Sequence, residues 1–127
     1  VIAGIGIDLV EIDRVARLLE RHGRRGLTRL FTSREVEYCE RHTRVASRYA
    51  ARIAAKEAAY KALARAPGAA SIGWTEIEVT MLGTGAPDLI WHGRAALAVA
   101  ALGVQQVWLT LTHTDTAAAA VVVLESH

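Results

Sequence analysis

Arg52-Ile53-Ala54-Ala55-Lys56-Glu57-Ala58-Ala59-Tyr60-Lys61-Ala62-Leu63 is the stretch that organises the rest of the chain. It lies within Val45 to Ala66, an Ala-rich run with no Gly or Pro before Pro67, which predicts the longest helix of the protein. Glu57 and Lys61 are i,i+4 neighbours in the favourable order. Taken alone they form an ordinary surface ion pair, worth about 0.3–0.5 kcal/mol. Small Ala residues flank the pair, however, so other backbone can approach closely. A carboxylate beside an ammonium is also what a metal–phosphate site needs, the one for a hard cation such as Mg²⁺ and the other for phosphate charge. Arg44, Arg48, Arg52 and Lys56 recur every four residues as a slowly drifting basic stripe, whose plain reading is a solvated face. Arg52 and Lys61 are nine residues apart, about 180° around a helix. One compact pocket could hardly use both from a single copy, so if both bind one polyanion, two subunits contribute.

Outward from this helix, Val1 to Leu9 predicts a strand. Ile5, Ile7 and Leu9 share one face, and Gly4, Gly6 and Asp8 share the other with Ile2. A carboxylate near the end of an apolar strand is costly without a partner. The two glycines beside Asp8 have no side chains to crowd it, which leaves room for a ligand or a cation; the alternative is an Asp that caps the next helix. That helix is predicted over Glu11 to Arg21, with Ile12, Val15, Leu18 and Leu19 as its apolar stripe and Gly23 as its stop. Arg14, Arg17, Arg21, Arg24 and Arg25 form a basic ridge, either a solvated face or a steering surface for an acidic protein partner. Thr32 or Ser33 caps a second helix, with Glu35 and Glu37 near its positive end. Beyond the long helix, strands are predicted at Trp74 to Met81, Asp88 to Trp91, Val104 to Thr112 and Ala117 to Leu124. The first two flank a Gly83–Pro87 turn, and a small helix spans Arg94 to Leu102. This order argues α+β.

Thr110-Leu111-Thr112-His113-Thr114-Asp115 places hydroxyls and an imidazole at a strand end, but no serine nucleophile elbow accompanies them. Gly4-x-Gly6 fails the dinucleotide fingerprint because position 9 is Leu. His22, His42, His92 and His127 lack metal spacing. The lone Cys39 excludes a disulfide framework and reads as a small buried side chain, while Trp74, Trp91 and Trp108 are expected against the sheet or at an interface. A length of 127 residues predicts one domain, residues 1–127. With 52 % apolar and 22 % charged residues the chain is globular rather than disordered. Fifteen Lys and Arg against thirteen Asp and Glu are too balanced for a general nucleic-acid binder. No run approaches the ~18 apolar residues of a membrane helix, and the apolar start has no basic leader, so a soluble cytoplasmic protein is expected.

Several motifs in order resemble one family. Gly4-Ile5-Gly6-Ile7-Asp8-Leu9-Val10-Glu11-Ile12 resembles the first motif of the bacterial holo-acyl-carrier-protein synthases, the short class of 4′-phosphopantetheinyl transferases. Phe31-Thr32-x-x-Glu35-x-x-Tyr38-Cys39 resembles their second-helix signature. The stretch from Arg52 to Leu63 resembles their central motif, and Ile77-Glu78-Val79, Gly85-Ala86-Pro87 and Leu109 to Thr114 complete the pattern. The resemblance implies a small antiparallel sheet packed against a long central helix. It implies transfer of the phosphopantetheine arm of coenzyme A to a serine of an apo acyl carrier protein, releasing 3′,5′-ADP. Asp8 and Glu57 would hold Mg²⁺, and Lys61 would meet the phosphate at the reacting centre. Arg52, Thr112, His113 and Thr114 would hold the nucleotide and its 3′-phosphate, with Arg44, Gly85 and Pro87 nearby. Arg14, Arg21 and Arg24 would meet the carrier, and the assembly would be a homotrimer with sites between subunits. Ile53 stands where the family often has an aromatic, and the loop after Leu63 is given no ligand role. The rival readings are a non-catalytic trimer that binds coenzyme A or a nucleotide, and an unrelated Mg²⁺-dependent nucleotide hydrolase.

Overall fold

The computed structural model describes all residues from Val1 to His127. Strand β1 (Ile2–Glu11) leads into α1 (Ile12–Leu30), α2 (Ser33–Glu40) and the long α3 (Val45–Ala62). Two 3₁₀ turns, Ala69–Ser71 and Trp74–Glu76, precede β2 (Ile77–Met81) and β3 (Pro87–Trp91); α4 (Gly93–Ala101), β4 (Val104–His113) and β5 (Ala117–Ser126) follow. An antiparallel sheet has the order β1-β5-β4, and β2 and β3 form a separate hairpin. The expected α+β architecture, a small antiparallel sheet against a long helix, is what the chain adopts.

The expected element boundaries differ at three places. The first helix breaks at Gly23 as expected, at φ 54°, a backbone that glycine accepts, but a second helical stretch continues α1 to Leu30. Helix α3 stops at Ala62 rather than Ala66, and the chain tightens there into three-residue turns, the Ala64 and Ala66 N–H groups donating to the Lys61 and Leu63 carbonyls. Trp74–Glu76 is a 3₁₀ turn rather than strand, because the Glu76 carboxylate accepts from the Gly73 N–H at 2.6 Å and from the Arg94 N–H at 2.7 Å.

The core sits where α3 crosses the sheet. Ala54, Ala58 and Ala62 pack with Ala120, Val122 and Leu124, alternate residues of β5. A smaller cluster of Val15, Phe31, Cys39, Tyr49, Ala50 and Ala118 joins α1, α2 and α3. Burial pushes the Cys39 thiol up to about 12, which suits an inert core side chain. Gly4 and Gly6 do not leave room for a ligand. A Cβ on Gly4 would stand 1.9 Å from the Ala62 carbonyl oxygen, and one on Gly6 would stand 1.8 Å from that of Ala58. The space beside them is filled by the backbone of α3.

Lys56 departs furthest from its expected place on a solvated stripe. It is 1 % exposed. Its ammonium meets Glu35 Oε1 at 2.7 Å and donates to the Trp74 and Ile77 carbonyls at 2.8 and 2.7 Å. Glu35 also completes the α2 cap, accepting from the Thr32 N–H while its own N–H donates to Thr32 Oγ1, and it accepts from the Val79 N–H at 2.8 Å. Burial pulls the Lys56 ammonium below its ordinary pKa, and the Glu35 charge pushes back. We predict that Gly6→Ala costs at least about 3 kcal/mol, the top of the usual overpacking range, because the obstacle is backbone. Equilibrium urea unfolding checks this, and a loss below 1 kcal/mol would contradict the packing described.

Candidate functional site

Asp8 projects from β1 on the same face as Gly4 and Gly6, and their lack of side chains is what lets α3 lie close enough to meet it. The Lys61 ammonium donates to the Ile7 carbonyl at 3.0 Å and to Asp8 Oδ1 at 3.3 Å. The Lys61 side chain is 51 % exposed, so the pair is worth at most about 1 kcal/mol. Its ammonium can therefore exchange one anion for another at little cost. Glu57 lies one helical turn before Lys61. Burial first, and the Asp8 charge second, push its carboxyl above the usual carboxylate value, with Lys61 only partly offsetting them. A carboxylate whose ionisation is penalised by burial and by a second carboxylate nearby belongs to a donor set suited to a divalent cation. No cluster of three or more His, Cys, Asp or Glu side chains converges anywhere in the fold. A hard cation here would take the rest of its oxygen ligands from water or substrate, the habit of Mg²⁺.

Two cavities flank Glu57. One, of about 440 Å³, is bordered by Asp8, Glu11, Arg14, Glu57 and Trp74 among others. The second, of about 230 Å³, has Lys56, Tyr60, Ile72, Gly73, Trp74 and Ile77 around Glu57.

Arg52 borders a different cleft, of about 260 Å³, away from Lys61. Gly85 and Pro87 from the β2–β3 turn and Thr112 and His113 from the end of β4 line it too. Gly85, at φ 89°, needs to be glycine for that turn. Arg52 is 2 % exposed, its guanidinium lies 3.9 Å from the centre of the Tyr38 ring, and its buried Nε has no hydrogen-bond partner. No carboxylate lines the cleft, which makes it receptive to an anion.

Five of the seven residues expected around the nucleotide thus converge. Arg44 and Thr114 do not join them. They border a separate cleft with Asp115, where Arg44 pairs with Asp115 at 3.4 Å in full solvent. Thr114 Oγ1 accepts from the Thr116 and Ala117 N–H groups at 3.2 and 3.1 Å, closing the β4–β5 turn. Arg14, Arg21 and Arg24 are exposed and belong to no ion pair. Arg14 stands at the Asp8–Glu57 cleft, whereas Arg24 lines a groove between the later part of α1 and α2.

Tyr38, Arg48 and Thr110, to which the family resemblance gives no ligand role, also line the Arg52 cleft. Arg48, one turn before Arg52, and Thr110, two residues before Thr112 on the same strand face, carried the signal in their spacing. Tyr60, three residues after Glu57 on α3, carried the same signal, whereas Trp74 carried none, because only the fold brings residue 74 to α3.

A model of the 4′-phosphopantetheinyl transferase superfamily matches residues 4–122. A holo-[acyl-carrier-protein] synthase of Solibacter usitatus is 42 % identical over 125 residues, covering 98 % of this chain and 99 % of the relative. One of Anaeromyxobacter sp. is 50 % identical over 127 residues, covering 98 % of this chain and 95 % of the relative. Among solved structures, a holo-(acyl-carrier-protein) synthase from Bacillus anthracis in complex with CoA (3′,5′-ADP) superposes with a TM-score of 0.77 at 31 % identity, covering 99 % of this chain and 98 % of that one. With the motifs in order, the shared fold and relatives matched end to end, the chain belongs to the 4′-phosphopantetheinyl transferase superfamily.

Proposed function

We propose that this protein is a holo-acyl-carrier-protein synthase, which moves the phosphopantetheine arm of coenzyme A to a serine of an apo acyl carrier protein and releases 3′,5′-ADP. The observation that carries the reading is the convergence of Asp8, Glu57 and Lys61 at one end of α3, apart from an anion-receptive cleft around Arg52. Relatives named holo-[acyl-carrier-protein] synthase, one of them solved with CoA (3′,5′-ADP), support the same assignment.

The serine oxygen attacks the phosphorus that carries the arm, the P–O bond to the nucleotide breaks, and the serine proton leaves to a base. Charge accumulates on the departing phosphate. Asp8 and Glu57 would hold Mg²⁺, which would supply positive charge against the pyrophosphate. Lys61 gives up its weak bond to Asp8 and donates to a phosphate oxygen. Arg52, Thr112 and His113, which line one cleft, would hold the 3′-phosphate end of the nucleotide. The smaller cavity against Glu57, bordered by Tyr60, Ile72, Trp74 and Ile77, accepts the arm, which must run outward from the reacting phosphorus. Docking on Arg14, Arg21 and Arg24 orients the carrier serine, and orientation accounts for much of such a barrier reduction.

The cleft that Arg52 lines contains none of Asp8, Glu57 and Lys61 of the same chain, so both halves reach one coenzyme A only when neighbouring copies meet. The outer face of the β1-β5-β4 sheet supports such an assembly. Ile5, Ile7, Leu9 and Trp108 are 64, 65, 71 and 56 % exposed, and Ile5 and Trp108 are both registered against Val123 of β5. Thr110 and Thr112 belong to the same face, so the nucleotide cleft opens at its rim. We assign the apolar face to copies of this chain in a homotrimer working in the cytoplasm.

Intact-mass spectrometry of an apo carrier protein, with coenzyme A and Mg²⁺, is expected to gain the mass of one phosphopantetheine arm and to lose that gain with EDTA. Binding of coenzyme A with no transfer to any carrier would favour a non-catalytic trimer instead. Glu57→Gln is expected to abolish transfer without unfolding the protein. A carboxyl whose folded pKa lies above its unfolded value costs stability once it ionises as pH rises. In metal-free buffer Glu57→Gln is therefore expected to melt above wild type at about pH 8, with the gap closing by about pH 4, below the ordinary carboxyl value. Full activity in this variant would sink the assignment. Arg14→Ala and Arg21→Ala are expected to weaken carrier binding, most clearly at low salt; salt-independent affinity equal to wild type would remove the ridge from the docking surface.

A further inference from the structure

Lys56 belongs to the central motif, and an exposed lysine beside Glu57 would be an obvious phosphate ligand. The structure gives it another task. A lysine ammonium has three N–H donors, and those of Lys56 are matched by three acceptors, Glu35 Oε1, the Trp74 carbonyl and the Ile77 carbonyl. It is buried, and no donor is left for a substrate.

Two of those acceptors belong to the segment from Gly73 to Ile77. Gly73, Trp74 and Ile77 line the smaller cavity beside Glu57, and Trp74 also borders the larger one. The segment thus walls the smaller cavity, and its Trp74 reaches the larger one as well. Its other polar anchors look away from α3: Glu76 ties it to Arg94 with Nη2–Oε2 at 2.8 Å, and the Glu76 carbonyl accepts from the His92 N–H at 2.8 Å. Lys56 supplies the hydrogen bonds that hold this wall against the helix bearing Glu57 and Lys61. Since Lys56 immediately precedes Glu57 in a rigid helix, the wall's distance from Glu57 is set by the length of one side chain.

We infer that Lys56 is a positioning residue for the arm of the donor: by pinning the Trp74 and Ile77 carbonyls to α3 it shapes the cavity that receives the arm, without touching the nucleotide. This rests on the proposed transferase reading, which places the arm in that cavity. The arm-bearing and arm-free ligands, coenzyme A and 3′,5′-ADP, should therefore respond differently to its loss. Lys56→Met strands the Glu35 carboxylate, so the double variant Glu35→Gln/Lys56→Met is the informative one, with Glu35→Gln alone as its control because it keeps both carbonyl bonds.

Calorimetric affinities and steady-state kinetics decide the matter. In the double variant the Kd and KM for coenzyme A are expected to rise roughly tenfold, with the Kd for 3′,5′-ADP within about twofold of wild type and kcat changed less than KM. Glu35→Gln alone is expected to keep its affinity for coenzyme A. Equal losses for both ligands would mean that Lys56 serves the nucleotide or the fold at large, and unchanged coenzyme A affinity would mean that the wall holds without it; either overturns the proposal. If the variants do not fold, hydrogen exchange in the wild-type protein gives the answer. Amides from Gly73 to Ile77 are expected to slow with coenzyme A and not with 3′,5′-ADP, and equal protection by both overturns the proposal. A wild-type protein that transfers no arm would instead sink the transferase reading, while the two affinities would still decide the role of Lys56.

Discussion

A desolvated ammonium with every donor spoken for is the constraint on which the rest of this structure depends. Burying Lys56 and Glu35 together is expensive, and such a pair is weak evidence of net stability. What it supplies is registry. Four segments meet at it: the cap of α2 through Thr32, the middle of α3, the 3₁₀ turn at Trp74, and β2 through the Val79 N–H and the Ile77 carbonyl. Apolar contacts among alanines tolerate sliding, whereas a lysine with three fixed acceptors does not. Removing one partner leaves a buried charge unmatched, so the arrangement is held in one geometry or not at all.

The second constraint is steric and works on the opposite side of α3. Gly4 and Gly6 bring β1 into contact with the helix backbone, and that proximity allows the short side chain of Asp8 to reach the Lys61 ammonium. The same closeness sets the Asp8 charge against Glu57, whose ionisation is already penalised by burial. The site is therefore electrostatically unsatisfied as it stands. That condition suits a site that an incoming cation would balance; the charges are those of Asp8 and Glu57, and the glycines allow the approach that sets them together.

The fold was largely legible in the sequence because its elements are marked by local signals. The Ala-rich run of α3, the alternation in β1 and the capping residues around Thr32 are all read from neighbours in the chain. The Asp8, Glu57 and Lys61 set was legible for a different reason: one member sits at the end of an apolar strand and the others at helical spacing. What escaped is what depends on contact between distant segments. Lys56 looked like one more member of a basic stripe because its partners lie 21 residues before and up to 21 residues after it. The glycines beside Asp8 were read as open space because a sequence shows a missing side chain but not the backbone that fills the gap. Thr114 kept its hydroxyl on paper and spends it in the turn that joins β4 to β5.

The division of chemistry along α3 follows from the helix itself. Nine residues carry a side chain halfway around the axis, so a helix that buries its small residues against a sheet cannot turn both Arg52 and Lys61 toward one small molecule. A single copy presents a carboxylate–lysine half at one face and an arginine–hydroxyl half at the other. The exposed row of Ile5, Ile7 and Leu9 lies on the strand that carries Asp8, and Thr112, at the rim of the arginine cleft, lies on the same outer face of the sheet. Burying that row against another copy would remove apolar surface from water and bring unlike halves together in the same step. In such an arrangement the hydrophobic gain that drives assembly also completes the site, and an isolated subunit would hold each half of the chemistry without being able to use them on one substrate.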